Sequence, residues 1–575
     1  MKRRSDMPAL VLFWLGVLFV AWFCIRKTHP PGSPSGKTSP AEFSVERAMT
    51  DLLEICRDPR PMGSSEIRRV RNYLIGRWRG MGFSPDVQEE SVPDYFDVVP
   101  GSDEVTMANI LARWPGTRPS RAVALMGHYD SAPTTYGAND NASAVAIILE
   151  VARLIQAAPP LENDLLFILT DGEEPAPRFG ATAFVSRHPW FKDVGLVVNL
   201  DALGGTGPST LMETSGNNFR LLREFRRAVP DPLAFSYTYD ILRRIPDNPT
   251  DFGPFLRSGI PGYNLAYTQD SAIYHTRMDT ADRVDLRSLR HQGANALALA
   301  RHFGRFDFSA EKLSGRAEAV YFTVFRQVVL LYPESWALPL ALAATLMLSG
   351  LLVVLAKAGR LSLPQLRRGA LIQLAATLSS TASVGIGWWA IVAARGGDGS
   401  PISRREAGLW AGALLLLALG VSKGVLAIRR DRRGDADLLG GGLFWWWFFC
   451  VSTTVLLPGW SCLFLWPLLF AIAGSALAKL GGAIATGAIR REAAALMVVS
   501  VMIVILTPAV VDFFHLAQPR PGNPESQMIL LIVVPALMIS LSLVLIGALR
   551  KQCLGGSAAK ALRHGGFDRT SEGKP

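Results

Sequence analysis

Eight long apolar runs divide the chain into a soluble part and a membrane part. A helix that spans a bilayer needs about 20 mostly apolar residues, because only a helix satisfies its own backbone polar groups in lipid. The first run, Pro8–Ile25, follows three basic residues and lacks a small-residue cleavage site, so we expect an uncleaved anchor. The other predicted spans lie near 336–355, 369–394, 407–428, 440–457, 460–480, 494–514 and 527–549. The division of 440–480 into two spans is the least defined, since it rests on Pro458 and Gly459 alone.

Between the first two runs, helical and strand-like patterns alternate. The predicted strands are short apolar runs at 105–114, 122–126, 165–169, 196–200 and 262–267. The predicted helices lie near 67–78, 142–155, 219–229 and 286–303, where apolar residues recur every three or four positions. Continuous apolar strands interleaved with helices are typical of sheets covered on both faces. We therefore predict an α/β domain, with a mixed, mostly parallel sheet sandwiched by helices, followed by an all-α multispanning transmembrane bundle.

These patterns predict six segments along the chain. An anchor at 1–25 precedes a linker at 26–42 that is rich in proline, serine and glycine and is expected to act as a tether. The α/β domain occupies 43–310, and a connector follows at 311–335. A seven-helix transmembrane region at 336–549 leads to a tail at 550–575.

The distribution of basic residues predicts the orientation in the membrane. The chain has 59 Lys and Arg against 48 Asp and Glu, but the bases lie in short clusters between the spans, which argues against a nucleic-acid partner. With a cytoplasmic N-terminus, the cytoplasmic segments hold 20 Lys and Arg and the short outer loops hold 4. Because cytoplasmic loops carry the excess of basic residues, we expect both termini in the cytoplasm and the domain outside it.

Cysteine usage restricts the kinds of site that the domain can contain. Of the five cysteines, only Cys56 lies in the predicted domain, so no disulfide can form within it. The chain also lacks the paired cysteines of a thiolate zinc site. Any metal ion in this domain must therefore be held by histidine and carboxylate side chains.

Side chains of that kind follow the predicted strands, and ligands of such sheets bind at the carboxyl ends of strands. The candidates are His128, Asp130, Asp140, Glu173, Glu174, Asp201 and His275. Taken singly, Asp140 is equally consistent with a helix cap, and Glu173 with Glu174 is consistent with a solvated turn. Taken together, two imidazoles and several carboxylates suit zinc, and a pair of ions about 3.5–4 Å apart suits hydrolysis.

Five motifs resemble those of the co-catalytic di-zinc aminopeptidases of peptidase family 28, in clan MH. The motifs are His128-x-Asp130, Gly137-Ala-x-Asp-Asn-Ala-Ser143, Gly172-Glu-Glu174, Asn199-Leu-Asp201 and Tyr274-His-Thr-x-x-Asp-Thr280. The resemblance covers roughly 45–305, and the membrane half is similar only in architecture, closest to the multispanning vacuolar and endoplasmic-reticulum membrane metalloproteases of that family.

The resemblance implies two Zn²⁺ ions held by five residues. Asp140 would bridge both ions. His128 and Asp201 would complete one site, and Glu174 and His275 would complete the other.

The resemblance also implies roles for the neighbouring residues. Glu173 would be the general base, and Asp130 would fix the orientation of the ligating His128 imidazole. The peptide bond between Asp140 and Asn141 would be cis. The loop 175–180 is longer than the corresponding turn of relatives, so the substrate preference is left open.

The function that the resemblance implies is a membrane-anchored zinc metallopeptidase of the aminopeptidase type, with peptide substrates and the lipid bilayer as partners. Two alternatives stay open: an acyltransferase similar to glutaminyl cyclases, and a receptor or transport protein that binds peptide without hydrolysis. The single glycosylation sequon, Asn141-Ala-Ser143, lies inside a site motif. It therefore favours the outer face of a bacterial inner membrane over a vacuolar or endoplasmic-reticulum membrane.

Overall fold

The computed structural model describes residues 7–32, 39, 41–175, 177–245, 250–310, 312–313, 315–394, 404–427, 436–480, 488–517, 534–542 and 545–546. The predicted tail at 550–575 lies outside these residues, as does most of the predicted span at 527–549, of which 534–542 are helical.

The regular elements of the described residues are numbered here in chain order. The strands β1 to β9 are Asp86–Pro93, Glu104–Trp114, Ala122–His128, Asp164–Thr170, Val194–Ala202, Thr210–Thr214, Gly262–Tyr267, Ala319–Val324 and Val328–Pro333. The helices α1 to α15 are Met7–Lys27, Val45–Ile55, Ser65–Gly80, Ser143–Gln156, Phe179–Arg187, Phe219–Ala228, Ser236–Leu242, Phe252–Arg257, Leu286–Phe303, Ala337–Lys357, Leu363–Ala394, Arg404–Ala427, Ala436–Leu456, Ser461–Leu480 and Ala488–Leu516. Short 3-10 segments occupy Pro189–Asp193, Ser271–Ile273, Ala281–Arg283, Glu334–Trp336 and Pro458–Trp460, and a π-helical turn occupies Ala138–Ala142.

The domain is built on one seven-stranded sheet in the order β1-β2-β4-β3-β5-β7-β6. The four central strands β4, β3, β5 and β7 are parallel. Strands β2 and β6 pair antiparallel with the two sides of this parallel group, and β1 pairs antiparallel with β2. The predicted mixed sheet is confirmed, and its parallel part lies at the centre.

Two apolar cores cover the faces of this sheet. Along β3, Val123 and Leu125 join the larger core, which α2, α3, α4 and α9 cover, whereas Ala124 and Met126 join the core under α5 and α8. Successive side chains of a strand point to opposite faces, so a strand between two cores must be apolar at every position. This burial on both faces explains the continuous apolar runs in the sequence.

Four strands were not predicted from the sequence. Strands β1 and β6 add an edge on each side of the sheet. Strands β8 and β9 form a hairpin within the segment that was expected to be a connector. Phe322 of β8 belongs to the apolar cluster of the membrane helices rather than to a core of the domain.

Seven helices of the described part are long and apolar enough to cross a membrane. They are Pro8–Lys27, Glu334–Lys357, Leu363–Ala394, Gly408–Ala427, Ala436–Leu456, Pro458–Ala476 and Ala495–Leu516. These helices coincide with the first seven predicted spans. The separation at Pro458 is confirmed, because a 3-10 turn at Pro458–Trp460 joins α13 to α14.

The domain rests on one end of these helices through α7. The Ser236 hydroxyl donates to the Gly459 carbonyl at 2.6 Å, and the Gly459 N–H donates to Asp240 at 3.2 Å. One residue along α7, the Tyr237 hydroxyl donates to the Asp512 carboxylate of α15 at 2.6 Å. Buried polar contacts therefore join the two halves of the chain.

Two neighbouring leucines of α2 test how the larger core stabilises the domain. The Leu52 side chain is fully buried in this core, whereas Leu53 is 55% exposed. We expect Leu52→Ala to lower the free energy of unfolding by about 2–5 kcal/mol, because it removes buried methyl groups and leaves a cavity. Leu53→Ala should change it by about 0.5 kcal/mol or less. Thermal unfolding of the purified chain, followed by tryptophan fluorescence, measures both; equal shifts would contradict the described core.

Candidate metal centre

The candidate residues lie at one edge of the sheet because of the strand order. His128 is the last residue of β3, and Asp201 lies one residue before the end of β5. Glu173 and Glu174 follow β4, and His275 follows β7. Since these four strands are adjacent and parallel, their carboxyl ends carry all of these residues towards the same crevice.

Asp140 lies between the two imidazoles. Its Oδ1 is 3.1 Å from His128 Nε2, and its Oδ2 is 3.2 Å from His275 Nε2. Glu174 Oε2 is 3.1 Å from the same nitrogen of His275. His128, Asp140 and Glu174 each offer a ligand atom, and these atoms lie within 4.8 Å of one another. The structure therefore brings four of the five predicted ligands into direct proximity.

Asp201 approaches this cluster less closely. Its side chain is buried, and its Oδ1 accepts the N–H of Ala202 at 2.7 Å. Burial, together with the negative charge of Asp140, raises the pKa of Asp201 to about 7. Asp201 therefore interacts with the cluster through its charge, without an ion pair to His128 in the described structure.

Asp130 connects His128 to the turn after β4. Its Oδ1 lies 3.3 Å from His128 Nδ1 and accepts the Glu173 N–H at 3.2 Å. Its Oδ2 accepts the Glu174 N–H at 3.2 Å. A carboxylate that receives the Nδ1 proton leaves Nε2, which faces Asp140, free to act as a ligand. Asp130 thus has the geometry that the resemblance implies for it.

Asp279 holds the turn that presents Asp140. Its carboxylate accepts the N–H of Asn139 at 2.8 Å, the side-chain amide of Asn139 at 2.7 Å and the N–H of Asp140 at 3.0 Å. The peptide bond between Asp140 and Asn141 is cis, as the resemblance implies. Asp279 belongs to the motif that contains His275, so that motif contributes both a candidate ligand and the support of another.

The buried guanidinium of Arg60 contacts the chain just before the turn that contains Asp140. It donates to the Tyr129 carbonyl at 2.6 Å and to the Gly137 carbonyl at 2.9 Å. These carbonyls lie on the loop between His128 and Asp140, so Arg60 fixes the separation of the two residues. The sequence analysis missed Arg60, and no motif or periodicity in the sequence marks it.

Arg178 is a second cation that the sequence analysis did not assign. Its Nε lies 3.2 Å from Glu173 Oε1, and its side chain is 16% exposed. It directly precedes α5, which begins at Phe179 within the segment 175–180 that was expected to be a loop, and its own backbone has a φ of 49°. The length of this segment could have drawn attention to Arg178 in the sequence. The direction of its side chain towards Glu173, however, depends on the fold.

The electrostatics of the centre favour the binding of cations. Burial raises the pKa of Glu173 well above its usual value. Burial disfavours the charged imidazole of His128, but Glu173, Asp130 and Asp140 outweigh it and raise its pKa well above the usual value. Burial also disfavours the charged imidazole of His275, but the carboxylates of Glu174 and Asp140 outweigh this effect and raise its pKa to about 11. Buried carboxylates that hold positive charge on neighbouring imidazoles also stabilise metal cations.

The donor set fits zinc. Asp140 Oδ2 and His275 Nε2 are buried, face each other and lack a hydrogen-bond partner of good geometry among the described residues. Imidazole nitrogens and carboxylate oxygens are zinc ligands, and a cation between them would satisfy both atoms. The second oxygen of Glu174 accepts the Ala132 N–H at 2.9 Å, which orients Oε2 towards His275.

Comparison with known proteins places this centre within a recognised family. The model of peptidase family M28 matches residues 109–300, a range that contains all the candidate ligands. Endoplasmic reticulum metallopeptidase 1 of Mus musculus is 32% identical over 212 residues, which are 36% of this chain and 23% of that protein. A vacuolar membrane protease of Schizosaccharomyces japonicus is 29% identical over 294 residues, which are 49% of this chain and 34% of that protein.

Among solved structures, the glutaminyl cyclase of Fimbriiglobus ruber aligns with 47% of this chain and 99% of its own length, at 21% identity and a TM-score of 0.37. The two curated relatives align over only about a quarter and a third of their own length. The range that matches the family model begins within β2, ends in α9 and contains β3 to β7 with the residues of the crevice. Residues 109–300 therefore form a domain of peptidase family M28.

Proposed function

We propose that this chain is a membrane-anchored, zinc-dependent metallopeptidase that acts as an aminopeptidase. The observation that carries the proposal is the position of Asp140 between two imidazoles, with each carboxylate oxygen facing one ring. A single carboxylate shared in this way suits two ions held side by side.

The proposed ligands divide between two ions. Asp140 would contribute to both sites, His128 with Asp201 would complete one, and Glu174 with His275 would complete the other. The short distances of His275 to both Asp140 and Glu174 support the second set. The contact of His128 with Asp140 and the nearby charge of Asp201 support the first.

Glu173 is the proposed general base. When bound, the ions would supply a water of lowered pKa and an electrophile for the scissile carbonyl. The Glu173 carboxylate is buried and lies 4.0 Å from His128. In its deprotonated form, the Glu173 carboxylate would accept a proton from the attacking water and return it to the leaving amine. Asp130 meanwhile keeps the Glu173 backbone and the His128 ring in fixed relative positions.

Action on amino termini follows from the charge of the crevice. An aminopeptidase must recognise a free ammonium group, and that group needs an anionic partner next to the reacting bond. Glu173 and Asp201 are buried carboxylates beside the proposed ligands and can supply it.

The proposed location is outside the cytoplasm, at the membrane surface. The excess of basic residues in alternate loops supports cytoplasmic termini, and the domain rests on the opposite end of the helices. The outer face of a bacterial inner membrane fits this arrangement, as does a vacuolar or endoplasmic-reticulum membrane in a eukaryotic cell.

Assays of the purified full-length chain test the proposal as a whole. We expect about two zinc ions per chain, and release of amino-terminal residues from a peptide panel that stops with a chelator and returns with zinc. The same panel should include a peptide with an N-terminal glutamine. Formation of pyroglutamate without hydrolysis would instead support the acyltransferase alternative, and zinc-independent binding without turnover would support a receptor.

The variant Glu173→Gln tests the general base. It keeps the size of the side chain but removes the proton acceptor, so we expect kcat to fall by about 10²–10⁴-fold. Zinc content should stay at the wild-type value, because Glu173 is not a proposed ligand. The matched control is Glu162→Gln at the exposed ion pair with Arg118, which should leave kcat unchanged. Wild-type turnover by the Glu173 variant would show that another group takes the proton.

The variant Asp140→Asn tests the shared ligand. Removing the charge that both proposed sites use should lower the zinc content to less than half of the wild-type value, as measured by metal analysis after dialysis. Asp193→Asn, at an exposed ion pair with Arg113, is the matched control and should retain all the zinc. Full zinc content in the Asp140 variant would rule out a bridging role.

A further inference from the structure

The loop that carries His275 is attached to the last long membrane helix. We define the His275 loop as residues 268–276, which connect β7 to the segment before α9. The Ser271 hydroxyl donates to the backbone carbonyl of His515, and the Asp270 N–H donates to His515 Nδ1 at 3.4 Å. His515 is one residue from the end of α15. A single membrane-helix residue therefore contacts two consecutive residues of the loop.

The first membrane helix contacts the same loop. The side-chain amide of Gln269 donates to the Thr28 carbonyl at 2.7 Å, directly after the end of α1. Helices α1 and α15 pack against each other, and Gly16 lies against the Leu496 side chain. The loop is thus held by two helices that form one unit.

Two residues of the His275 loop have backbone conformations that depend on their surroundings. Asp270 has a φ of 60° and His275 a φ of 58°, which are left-handed conformations that residues other than glycine adopt uncommonly. Conformations of this kind persist when the surrounding structure determines them. Within the domain, the backbones of Gln269 and Thr206 exchange hydrogen bonds at 2.9 and 3.0 Å, and the Gly205 N–H donates to the Asp270 carbonyl at 3.4 Å. The contacts with α1 and α15 therefore add to the support that the domain itself gives the loop.

The contact with α15 is also close to the proposed ligand. His275 follows Ser271 by four positions, so their Cα atoms are separated by at most about 14 Å. The 3-10 turn at Ser271–Ile273 shortens this distance and makes the segment stiff. A displacement of Ser271 therefore moves the imidazole relative to Asp140.

We propose that α15 positions His275 in the metal centre, with His515 and Ser271 as the positioning residues. The membrane bundle is then a structural part of the site rather than only its anchor. This inference rests on the proposed role of His275 as a ligand. The contacts of α7 with Gly459 and Asp512 hold the domain on the bundle independently of the His275 loop. A variant can therefore disturb the position of His275 without detaching the domain from the bundle.

The test compares the full-length double variant Ser271→Ala/His515→Ala with Tyr237→Phe. Both remove hydrogen bonds between the domain and α15, but Tyr237 contacts Asp512 from α7 and not from the His275 loop. Zinc affinity is measured by competition with a chelator, and hydrogen exchange is measured across 268–276. We expect the double variant to lose at least about 10-fold in affinity for one zinc ion and to exchange faster in the loop.

Tyr237→Phe should leave both quantities at wild-type values. The variant His515→Asn is compared with His515→Ala, because the asparagine side-chain oxygen can accept the Asp270 N–H and alanine cannot. We expect His515→Asn to keep most of the wild-type zinc affinity. The single variants Ser271→Ala and His515→Ala replace the double variant if the latter does not purify as a folded chain.

Unchanged zinc affinity and unchanged loop exchange in the double variant would overturn the inference. A wild-type chain that binds zinc but cleaves no peptide would contradict the proposed function alone, because the affinity comparison needs no turnover. If the wild-type chain binds no zinc, the exchange of the His275 loop still decides whether α15 holds it.

Discussion

Asp130, Asp140, Glu173 and Asp201 are buried together at the carboxyl ends of adjacent strands, and this concentration of negative charge constrains the rest of the domain. A buried carboxylate is costly unless hydrogen bonds or opposite charges compensate it. Here backbone N–H groups, two imidazoles and the guanidinium of Arg178 supply part of the compensation. The parallel strands explain why the charges meet, since each strand ends in a loop that can turn its side chain inward. Divalent cations would supply the remainder, which is why the arrangement is more consistent with a metal centre than with a structural ion-pair network.

The supporting contacts fix the candidate ligands before any ion binds. Asp130 receives two consecutive backbone N–H groups of the turn after β4 and also faces the ring of His128. In the same way, the Asp279 carboxylate accepts the backbone N–H groups of Asn139 and Asp140. In both cases a carboxylate outside the proposed ligand set orients the backbone of residues within it. Sites held in this way need little rearrangement on binding, so more of the interaction energy is available for the ion and the substrate.

The sequence predicted those parts of the fold that are buried on both faces. Strands β3, β4 and β5 are continuous apolar runs because each contributes to both cores, whereas β7 contributes Tyr263 and Leu265 to the larger core. The ends of these four strands located the candidate ligands. Strand β1 was missed because, at an edge of the sheet, only Val92 is buried and its pattern is largely polar. The β8–β9 hairpin was missed because it packs between the two halves of the chain. Tyr321 and Val329 join the larger core of the domain, whereas Val320 and Phe322 join the cluster of the membrane helices. Arg60 and Arg178 acquire their importance only from the tertiary fold, since they contact residues far away in sequence or across a loop.

The contacts between the domain and the bundle change the expected role of the linker. A tether of proline, serine and glycine residues would let the domain move relative to its anchor. However, Gln269 forms a hydrogen bond with Thr28 at the start of the linker. In addition, α7 contacts α14, α15 and the turn before α14, and the His275 loop contacts α15. These contacts are distributed over both membrane segments that flank the domain in sequence. The crevice is therefore held against the bundle by contacts with α1, α15 and the turn before α14, in addition to the covalent connection through the linker.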